Sequence, residues 1–269
     1  MKRRRFIATT LLSAALIGGI TTACGSQGGG DTATPAAGET QTLVMATSAD
    51  YPPYEFVDTS GGTEEIVGFD IDIARAITEE LGYELEIVNM DFNGLIPALQ
   101  SDRADFVMAG MTPTEERKQN VDFSEVYYDA KQTIVTTQDS GITDPAGLDG
   151  KTIGVQLGSI QEGLAKDMVE GGSTMTVVPL NRINEIVQEL KSGRIDAAII
   201  EDTVAKGFLE ANPDLQATVI PEEGPAGSAI AFPKGSALAA EFNPVLEEMK
   251  TNGELEALIK KWFGDSGES

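Results

Sequence analysis

LQSDRADFV, at residues 99–107, returns as LKSGRIDAA at residues 190–198, with Leu, Ser, Arg and Asp in the same register. Each copy has the pattern of a helix end, a tight turn and a buried strand. A helix-turn-strand unit that occurs twice in one chain predicts two lobes built on one plan.

The sequence on either side of each copy alternates between short apolar runs and amphipathic helical patterns. Before the first copy, a strand is predicted at 43–47, a helix over 69–81 and a strand at 84–88. The series starts again at residue 152 with the predicted elements strand 152–155, helix 160–169, strand 174–178, helix 183–191 and strand 195–200. Alternating elements predict an α/β fold in which each lobe is a mainly parallel sheet flanked by helices.

Composition limits the function classes. The 269 residues, 41% of them apolar, suffice for two modest domains. Asp and Glu number 43 against 19 Lys and Arg, and the formal net charge of −24 argues against a nucleic-acid partner, because such a surface repels phosphate. With no His and one Cys, His-dependent catalysis and metal sites of His or several Cys are excluded. We predict no metal and no cofactor.

The N-terminus has the pattern of an export signal. Basic residues 2–5 precede an apolar run at 6–20, and the sole Cys, Cys24, follows the small residue Ala23. This resembles a bacterial lipobox, so we expect a signal peptide over 1–23 and lipidation at Cys24. Residues 24–41 are predicted to be the lipidated Cys and a flexible tether. The basic stretch fits both the general secretory and the twin-arginine export routes.

Ligands of open α/β sheets bind beyond the carboxyl ends of the strands. The loops at those ends are residues 47–51, 110–112, 156–159 and 201–202. If the two lobes face each other, these loops meet in one cleft. Tyr51 is placed there to pack on a ligand.

Two charged residues are the candidates for holding a ligand. Thr112, Pro113 and Glu115 form a capping box that predicts a helix start with Arg117 about one turn along, either a carboxylate-binding corner or an ordinary capped helix with a solvated Arg. Asp202 follows an apolar strand, where it either caps the next helix or meets an ammonium group. The nearby acidic pair of the motif GFDID, at 68–72, is interpreted as structural.

Five sequence motifs, taken in chain order, indicate a protein family. They are ADYPPYEF at 49–56, VGFDIDIA at 67–74, MDFNGLIPAL at 90–99, AGMTPTEER at 109–117 and KKWFG at 260–264. As a set, covering about residues 43 to 264, they resemble the polar amino-acid-binding proteins of ABC importers, extracellular solute-binding protein family 3.

The resemblance implies an architecture and a set of partners. The first lobe would comprise residues 42–128 and 229–269, the second residues 129–228, with two hinge strands near 128–131 and 224–228. The protein would be a monomer on the outer side of the membrane, lipid-anchored, and would deliver a polar L-amino acid to the permease of an ABC transporter.

The resemblance also implies roles for individual residues. Arg117, Thr112 and Ser159 would hold the α-carboxylate, and Asp202 and the Gly110 carbonyl the α-ammonium. Tyr51 and Phe92 would enclose the ligand side chain. Ser48 and Gln156 fall where the family varies with ligand. Ser48 stands where cation-binding relatives often carry an acid and so favours a neutral ligand such as glutamine, whereas Glu201 beside Asp202 favours a cation.

Two other functions fit the same scaffold. An enzyme such as a dehydratase or cell-wall lyase could use Glu201 or Glu55 as acid or base, although the lack of His makes acid–base work at neutral pH harder. A receptor could present its ligand to a signalling partner. We expect a binding protein and no enzyme.

Overall fold

The computed structural model describes residues 40–221 and 227–264. The predicted signal peptide, Cys24 and nearly all of the tether lie outside the described residues, as do residues 224–226 of the second predicted hinge strand. No helix in the described part of the chain is long and apolar enough to cross a membrane.

The described chain alternates strands and helices as the sequence predicts. Its first half contains β1 (Thr42–Thr47), β2 (Asp50–Tyr51), β3 (Glu55–Asp58), β4 (Glu65–Val67), α1 (Phe69–Glu80), β5 (Glu84–Asn89), α2 (Leu95–Gln100), β6 (Phe106–Val107), α3 (Glu115–Lys118) and β7 (Val121–Phe123). These are followed by β8 (Gln132–Thr137), β9 (Thr152–Gln156), α4 (Ile160–Glu170), β10 (Thr176–Leu180), α5 (Ile183–Lys191), β11 (Ala197–Glu201), α6 (Asp202–Ala211), β12 (Leu215–Val219), β13 (Ala231–Pro233), α7 (Leu238–Asn252) and α8 (Glu254–Phe263).

The strands form two five-stranded sheets of the same design. The first lobe has the strand order β5-β1-β6-β13-β7 and the second β10-β9-β11-β8-β12. In each sheet, the three strands that belong to successive β-α units run parallel, and the other two pairings are antiparallel. A small antiparallel sheet, β2-β3-β4, completes the first lobe. The two-lobed α/β fold is confirmed.

The predicted sheets are corrected in one respect, because both are mixed rather than mainly parallel. The antiparallel pairings involve β8 and β13, the strands that follow the two passages of the chain between the lobes. A strand that enters a sheet from the other lobe needs no crossover helix and is free to run in the opposite direction.

The repeat has a structural reason in its shared Asp. Asp105, just before β6, accepts a hydrogen bond from the backbone N–H of Val44 on β1 at 2.7 Å. Asp196, just before β11, accepts the equivalent bond from Thr152 on β9 at 2.8 Å. Asp105 thus links β6 to β1, and Asp196 links β11 to β9.

The C-terminal helices belong to the first lobe. Phe242 of α7 packs edge-on against Phe106 and Phe232 of the sheet, with ring centroids 5.1 and 5.3 Å apart. Trp262 of α8 donates a hydrogen bond to Asp72 of α1 at 2.7 Å. These contacts agree with the implied return of the chain to the first lobe, although the lobe limits at 128 and 229 stay predictions.

The passage between the lobes is marked by a single antiparallel bridge between Tyr128 and Ser228. The N–H of Ser228 donates to the Tyr128 carbonyl at 2.7 Å, and the N–H of Tyr127 donates to the Ser228 carbonyl at 2.9 Å. Tyr128 also stacks on Phe263 of α8, at 4.3 Å between centroids. The two chain segments are therefore held side by side where they leave the first lobe.

Candidate functional site

A small cavity lies between the lobes at the carboxyl ends of their strands. Its volume is about 10 Å³, the space of about one water molecule. Seven of the nine predicted ligand residues line it: Tyr51, Phe92, Gly110, Thr112, Arg117, Gln156 and Ser159. A larger groove that shares Arg117, Ser159 and Ile160 with this cavity opens towards solvent and extends the same cleft.

Arg117 is the cation of this cavity. It is 9% exposed, and its guanidinium lies 5.4 Å from the centre of the Phe92 ring. Nη1 donates to the carbonyl of Thr112 at 2.8 Å, and Nη2 donates to the carbonyl of Gly158 in the second lobe at 3.0 Å. Burial lowers the pKa of Arg117 to about 10, which leaves it charged at neutral pH. Its remaining donors are available to a carboxylate.

The helix that contains Arg117 starts two residues later than predicted. The N-cap is Thr114, whose hydroxyl accepts from the N–H of Arg117 at 3.2 Å, and α3 is a single turn. The prediction of Thr112 as cap is wrong: the N–H of Arg117 bonds to the Thr114 hydroxyl, and Thr112 contributes only its carbonyl, which accepts from the Arg117 side chain. The capping interaction therefore orients Arg117 directly.

The acidic wall of the cavity is Glu201, the last residue of β11. It is 5% exposed, accepts from the Thr203 hydroxyl at 2.7 Å, and lies 3.5 Å from the hydroxyl of Tyr51 across the cleft. Burial raises the pKa of Glu201 to about 7. Because Glu201 and Arg117 belong to different lobes, opposite charges face one space from two sides.

Asp202, the predicted partner of the α-ammonium, lies outside the residues that line the cavity. Its carboxylate accepts from the N–H of Lys131 at 3.1 Å and from that of Thr203 at 2.9 Å. It is the first residue of α6, and its side chain binds backbone N–H groups at the start of that helix and just before β8. Because successive side chains of β11 point to opposite faces of the sheet, Glu201 points to the face opposite to Ile200. Asp202 does not continue this alternation, because α6 begins at that residue.

Ser48 also lies outside that lining. It is buried, and its hydroxyl donates to Asp50 at 2.9 Å. Asp50 in turn accepts from the N–H of Ile183, the first residue of α5 in the second lobe, at 2.7 Å. Ser48 thus supports a contact between the lobes, which the sequence did not predict.

The remaining walls are aromatic and backbone surfaces. Gly110 has φ of 55°, and a Cβ at this position would lie 3.2 Å from the Tyr51 ring, so glycine allows both the turn and the close approach. Ser159 caps α4 by accepting from the N–H of Glu162 at 3.2 Å. Gln156 donates from Nε2 to the Asn181 carbonyl at 3.4 Å.

Three further lining residues were missed by the sequence analysis: Ala109, Ile160 and Gln161. Gln161 donates from Nε2 to the buried side chain of Gln132 at 2.7 Å. Ala109 and Ile160 adjoin predicted ligand residues at the strand ends, and this adjacency is the sequence signal by which they could have been included.

Comparisons with known proteins identify the family of this chain. Residues 43–265 match the family described as bacterial extracellular solute-binding proteins, family 3. The chain belongs to this family. This membership confirms the resemblance of the five motifs to the extracellular solute-binding proteins of family 3.

Named relatives of this family 3 protein include binding proteins for amino acids. The arginine-binding extracellular protein ArtP of Bacillus subtilis is 51% identical over 255 residues, which cover 94% of this chain and 96% of the relative. The solved structure of an ancestral arginine-binding protein bound to arginine is 42% identical, with a TM-score of 0.77, covering 83% of this chain and 98% of that one. An ancestral arginine-binding protein bound to glutamine is 40% identical, with a TM-score of 0.77 and coverages of 85% and 100%.

The lobes of the family 3 protein contact each other through several pairs of residues. Besides the bond from Ile183 to Asp50, Arg182 pairs with Asp91 at 2.8 Å, and a Cβ on Gly158 would lie 3.1 Å from the side chain of Asn93. Asp50 is mostly buried and faces the N-terminus of α5, where the helix dipole favours a negative charge. We call the Asp50–Ile183 contact the latch.

We expect Asp50→Ala to accelerate ligand release at least tenfold with little change in the association rate. The charged hydrogen bond of the latch forms only when the lobes meet, and such bonds contribute about 1.5–3 kcal/mol. Stopped-flow fluorescence measures both rates. Asp91→Ala is the matched control, because its ion pair is half-exposed and contributes about 1 kcal/mol or less. Equal release rates in the two variants would contradict the latch.

No group of acidic, His or Cys side chains among the described residues could hold a metal ion. The lining of this site offers hydrogen bonds and opposite charges from two lobes.

Proposed function

We propose that this protein captures an L-amino acid with a cationic side chain, L-arginine first among them, and delivers it to an ABC transporter permease. The observation that carries the proposal is the pair of buried opposite charges, Arg117 and Glu201, which face one cavity from different lobes. The 51% identity to a protein named for arginine binding supports the choice of ligand.

The pair matches the two charges of an amino acid. Arg117, with Thr112 and Ser159 beside it, would bind the α-carboxylate through its free N–H donors. Glu201 would bind the α-ammonium, in place of the Asp202 assigned from the sequence. A zwitterion held in this way keeps both its charges paired after it leaves water, which is otherwise costly.

The charges around the cavity favour a cationic side chain over a neutral one. Once Arg117 and Glu201 are paired with the ligand, two acids remain next to the lining: the half-buried Asp50, beside Tyr51 in the chain, and the buried Asp70, which accepts from the N–H of Gly110. The side-chain amides of Gln156 and Gln161 each use Nε2 for a bond to another residue and leave an oxygen as acceptor. A guanidinium, with five donors and a positive charge, suits these acceptors, while Tyr51 and Phe92 would cover its apolar stem.

A thermal-shift screen of the twenty L-amino acids tests the proposed ligand class. At 100 times its Kd, a ligand adds about 2.7 kcal/mol to the free energy of unfolding, and a chain of this size then melts about 5–10 °C higher. We expect L-arginine to give the largest shift, L-lysine and L-histidine smaller ones, and L-glutamine the largest among neutral ligands. A larger shift with L-glutamine than with L-arginine would contradict the cationic preference.

The same samples separate carriage from catalysis. We expect the amino acid recovered after prolonged incubation to be chemically unchanged, because the acid at the cavity, Glu201, has no His beside it in a chain that contains none. Mass spectrometry of the recovered ligand provides the measurement, and a converted product would identify an enzyme.

We further propose that the monomeric mature protein is held at the outer face of the membrane by lipid on Cys24. The basic and apolar leader before this sole Cys, and the Gly-, Ser- and Thr-rich stretch after it, support the anchor and a tether long enough for the binding lobes to move.

Replacing Cys24 with serine is expected to move the protein from the membrane fraction to the soluble fraction. Serine has no thiol to carry the lipid, so the variant would have no lipid anchor. Immunoblots of the two fractions provide the measurement. Ser26→Ala, in the same stretch, is the matched control and should stay with the membrane. Retention of Cys24→Ser in the membrane would remove the lipoprotein assignment.

A further inference from the structure

Two carboxyl groups lie fully buried behind the cavity. Glu55 on β3 and Asp70 on α1 have no exposed surface, and their side chains interact directly. Asp70 stands at a helix start, where the sequence predicts an ordinary structural acid, and neither residue lines the cavity. Two like charges in such a place are strongly unfavourable, so the pair holds at least one proton.

Asp70 is the member that is equipped to be a carboxylate. The hydroxyl of Tyr127 donates to both of its oxygens at 2.8 Å, and the backbone N–H of Gly110 donates to Oδ2 at 2.9 Å. Donors of this kind stabilise the charged form of the group. Although burial raises the pKa of Asp70 to about 7, these bonds oppose the effect.

Glu55 lacks any such support. Neither of its carboxyl oxygens receives a hydrogen bond from an N–H or O–H group of the described residues. A buried carboxylate without donors is among the costliest groups in a protein, whereas a carboxylic acid supplies its own hydrogen. The carboxylate of Asp70 lies within reach of that hydrogen.

The surrounding charges act in the same direction. Burial raises the pKa of Glu55 well above its ordinary value, and the negative charges of Asp70, Asp50 and Glu201 raise it further. Three titratable neighbours from other segments interact with Glu55: Asp50 on β2, Glu201 on β11 and Tyr127 before the passage between the lobes. None of the three carries a positive charge that would favour an ionised Glu55.

We propose that Glu55 is a positioning residue that is present as the neutral acid and donates its hydrogen to Asp70, so that Asp70 remains a carboxylate and holds Gly110 in the wall of the ligand cavity. Through Tyr127, the same carboxylate is linked to the residue next to the Tyr128–Ser228 bridge. The acid pair therefore joins the ligand site to the passage between the lobes.

Two substitutions of similar volume test the role of the hydrogen. Glu55→Gln keeps a donor to Asp70, whereas Glu55→Met removes it. With L-arginine as the probe in calorimetry, we expect the Kd of Glu55→Gln to stay within threefold of the wild-type value and that of Glu55→Met to rise at least tenfold. Asp72→Asn, two residues after Asp70 on α1 and bound to Lys261 and Trp262 instead, is the matched control and should not change the Kd.

Infrared spectroscopy provides a second readout that needs no ligand and therefore stands even if the proposed function, on which the calorimetry rests, fails. At about pH 9, where Asp70 and Glu201 are ionised because their pKa values are about 7, the C=O stretch of a buried protonated carboxyl should be present in the wild type and missing from Glu55→Gln. Absence of that band from the wild type overturns the proposal, and it does so even if Glu55→Met fails to fold. Equal affinity losses in the Gln and Met variants, or no loss in either, also overturn it.

Discussion

Replacing Arg117 with alanine is expected to weaken the binding of L-arginine about a hundredfold or more while the fold is retained. The guanidinium is buried and is the only cation that lines the cavity in the described part of the chain. Without it, the α-carboxylate of a bound ligand would be left unpaired, which costs roughly 2–5 kcal/mol or about thirty- to several-thousandfold in Kd.

Calorimetry measures the loss, and circular dichroism checks the fold. Arg75→Ala is the matched control, because Arg75 is a half-exposed residue of α1 that pairs with Glu65 on the surface. We expect its Kd to stay within threefold of the wild-type value. A Kd for Arg117→Ala within threefold of the wild type would contradict the assignment of Arg117 to the ligand.

Replacing Glu201 with glutamine is expected to weaken binding at least thirtyfold at pH 8, because the variant loses the negative charge that meets the ammonium. Asp202→Asn is the matched control for the adjacent residue, and it keeps a side-chain oxygen that can accept from the N–H groups of Lys131 and Thr203. We expect its Kd to change less than threefold. A larger loss in Asp202→Asn than in Glu201→Gln would restore the assignment made from the sequence.

The pKa of Glu201 adds a pH dependence of definite sign. Burial raises that pKa to about 7, and the ligand binds the ionised form, so affinity should be flat above about pH 8 and fall by up to tenfold per unit below 7. Asp70, with a pKa also near 7, stays titratable in Glu201→Gln. The difference between the two pH profiles therefore belongs to Glu201. Identical profiles would contradict its ionic role.

The choice between Glu201 and Asp202 shows where prediction from the sequence stops. The apolar run before them predicts a buried strand, and both acids follow it directly. Because successive strand residues point to opposite faces, the side of each acid depends on the residue at which strand becomes helix. The structure ends β11 at Glu201 and begins α6 at Asp202, a boundary that local sequence does not specify.

Local patterns predicted much more of the fold than of the contacts between distant segments. The repeat and the helical spacing predicted the two-lobed α/β architecture, and the strand-end loops together with the family resemblance predicted seven residues of the cavity. In contrast, the latch joins Asp50 to Ile183, and Asp70 binds Gly110, forty residues away. Such partners depend on how lobes and helices pack, which propensity and periodicity do not encode.

The capping box is an instructive local failure. Thr112 and Thr114 both flank Pro113, and the presence of Glu115 three residues after Thr112 favoured Thr112 as cap. The buried guanidinium of Arg117 instead takes the carbonyl of Thr112 as a partner, and Thr114 caps the turn.

A crystal structure of the protein with L-arginine tests the central claim most directly. We predict one arginine between the lobes, its α-carboxylate within hydrogen-bond distance of Arg117 and its α-ammonium within hydrogen-bond distance of Glu201. An amino acid bound outside this cavity, or one whose ammonium group contacts Asp202 and leaves Glu201 without a ligand contact, would contradict it.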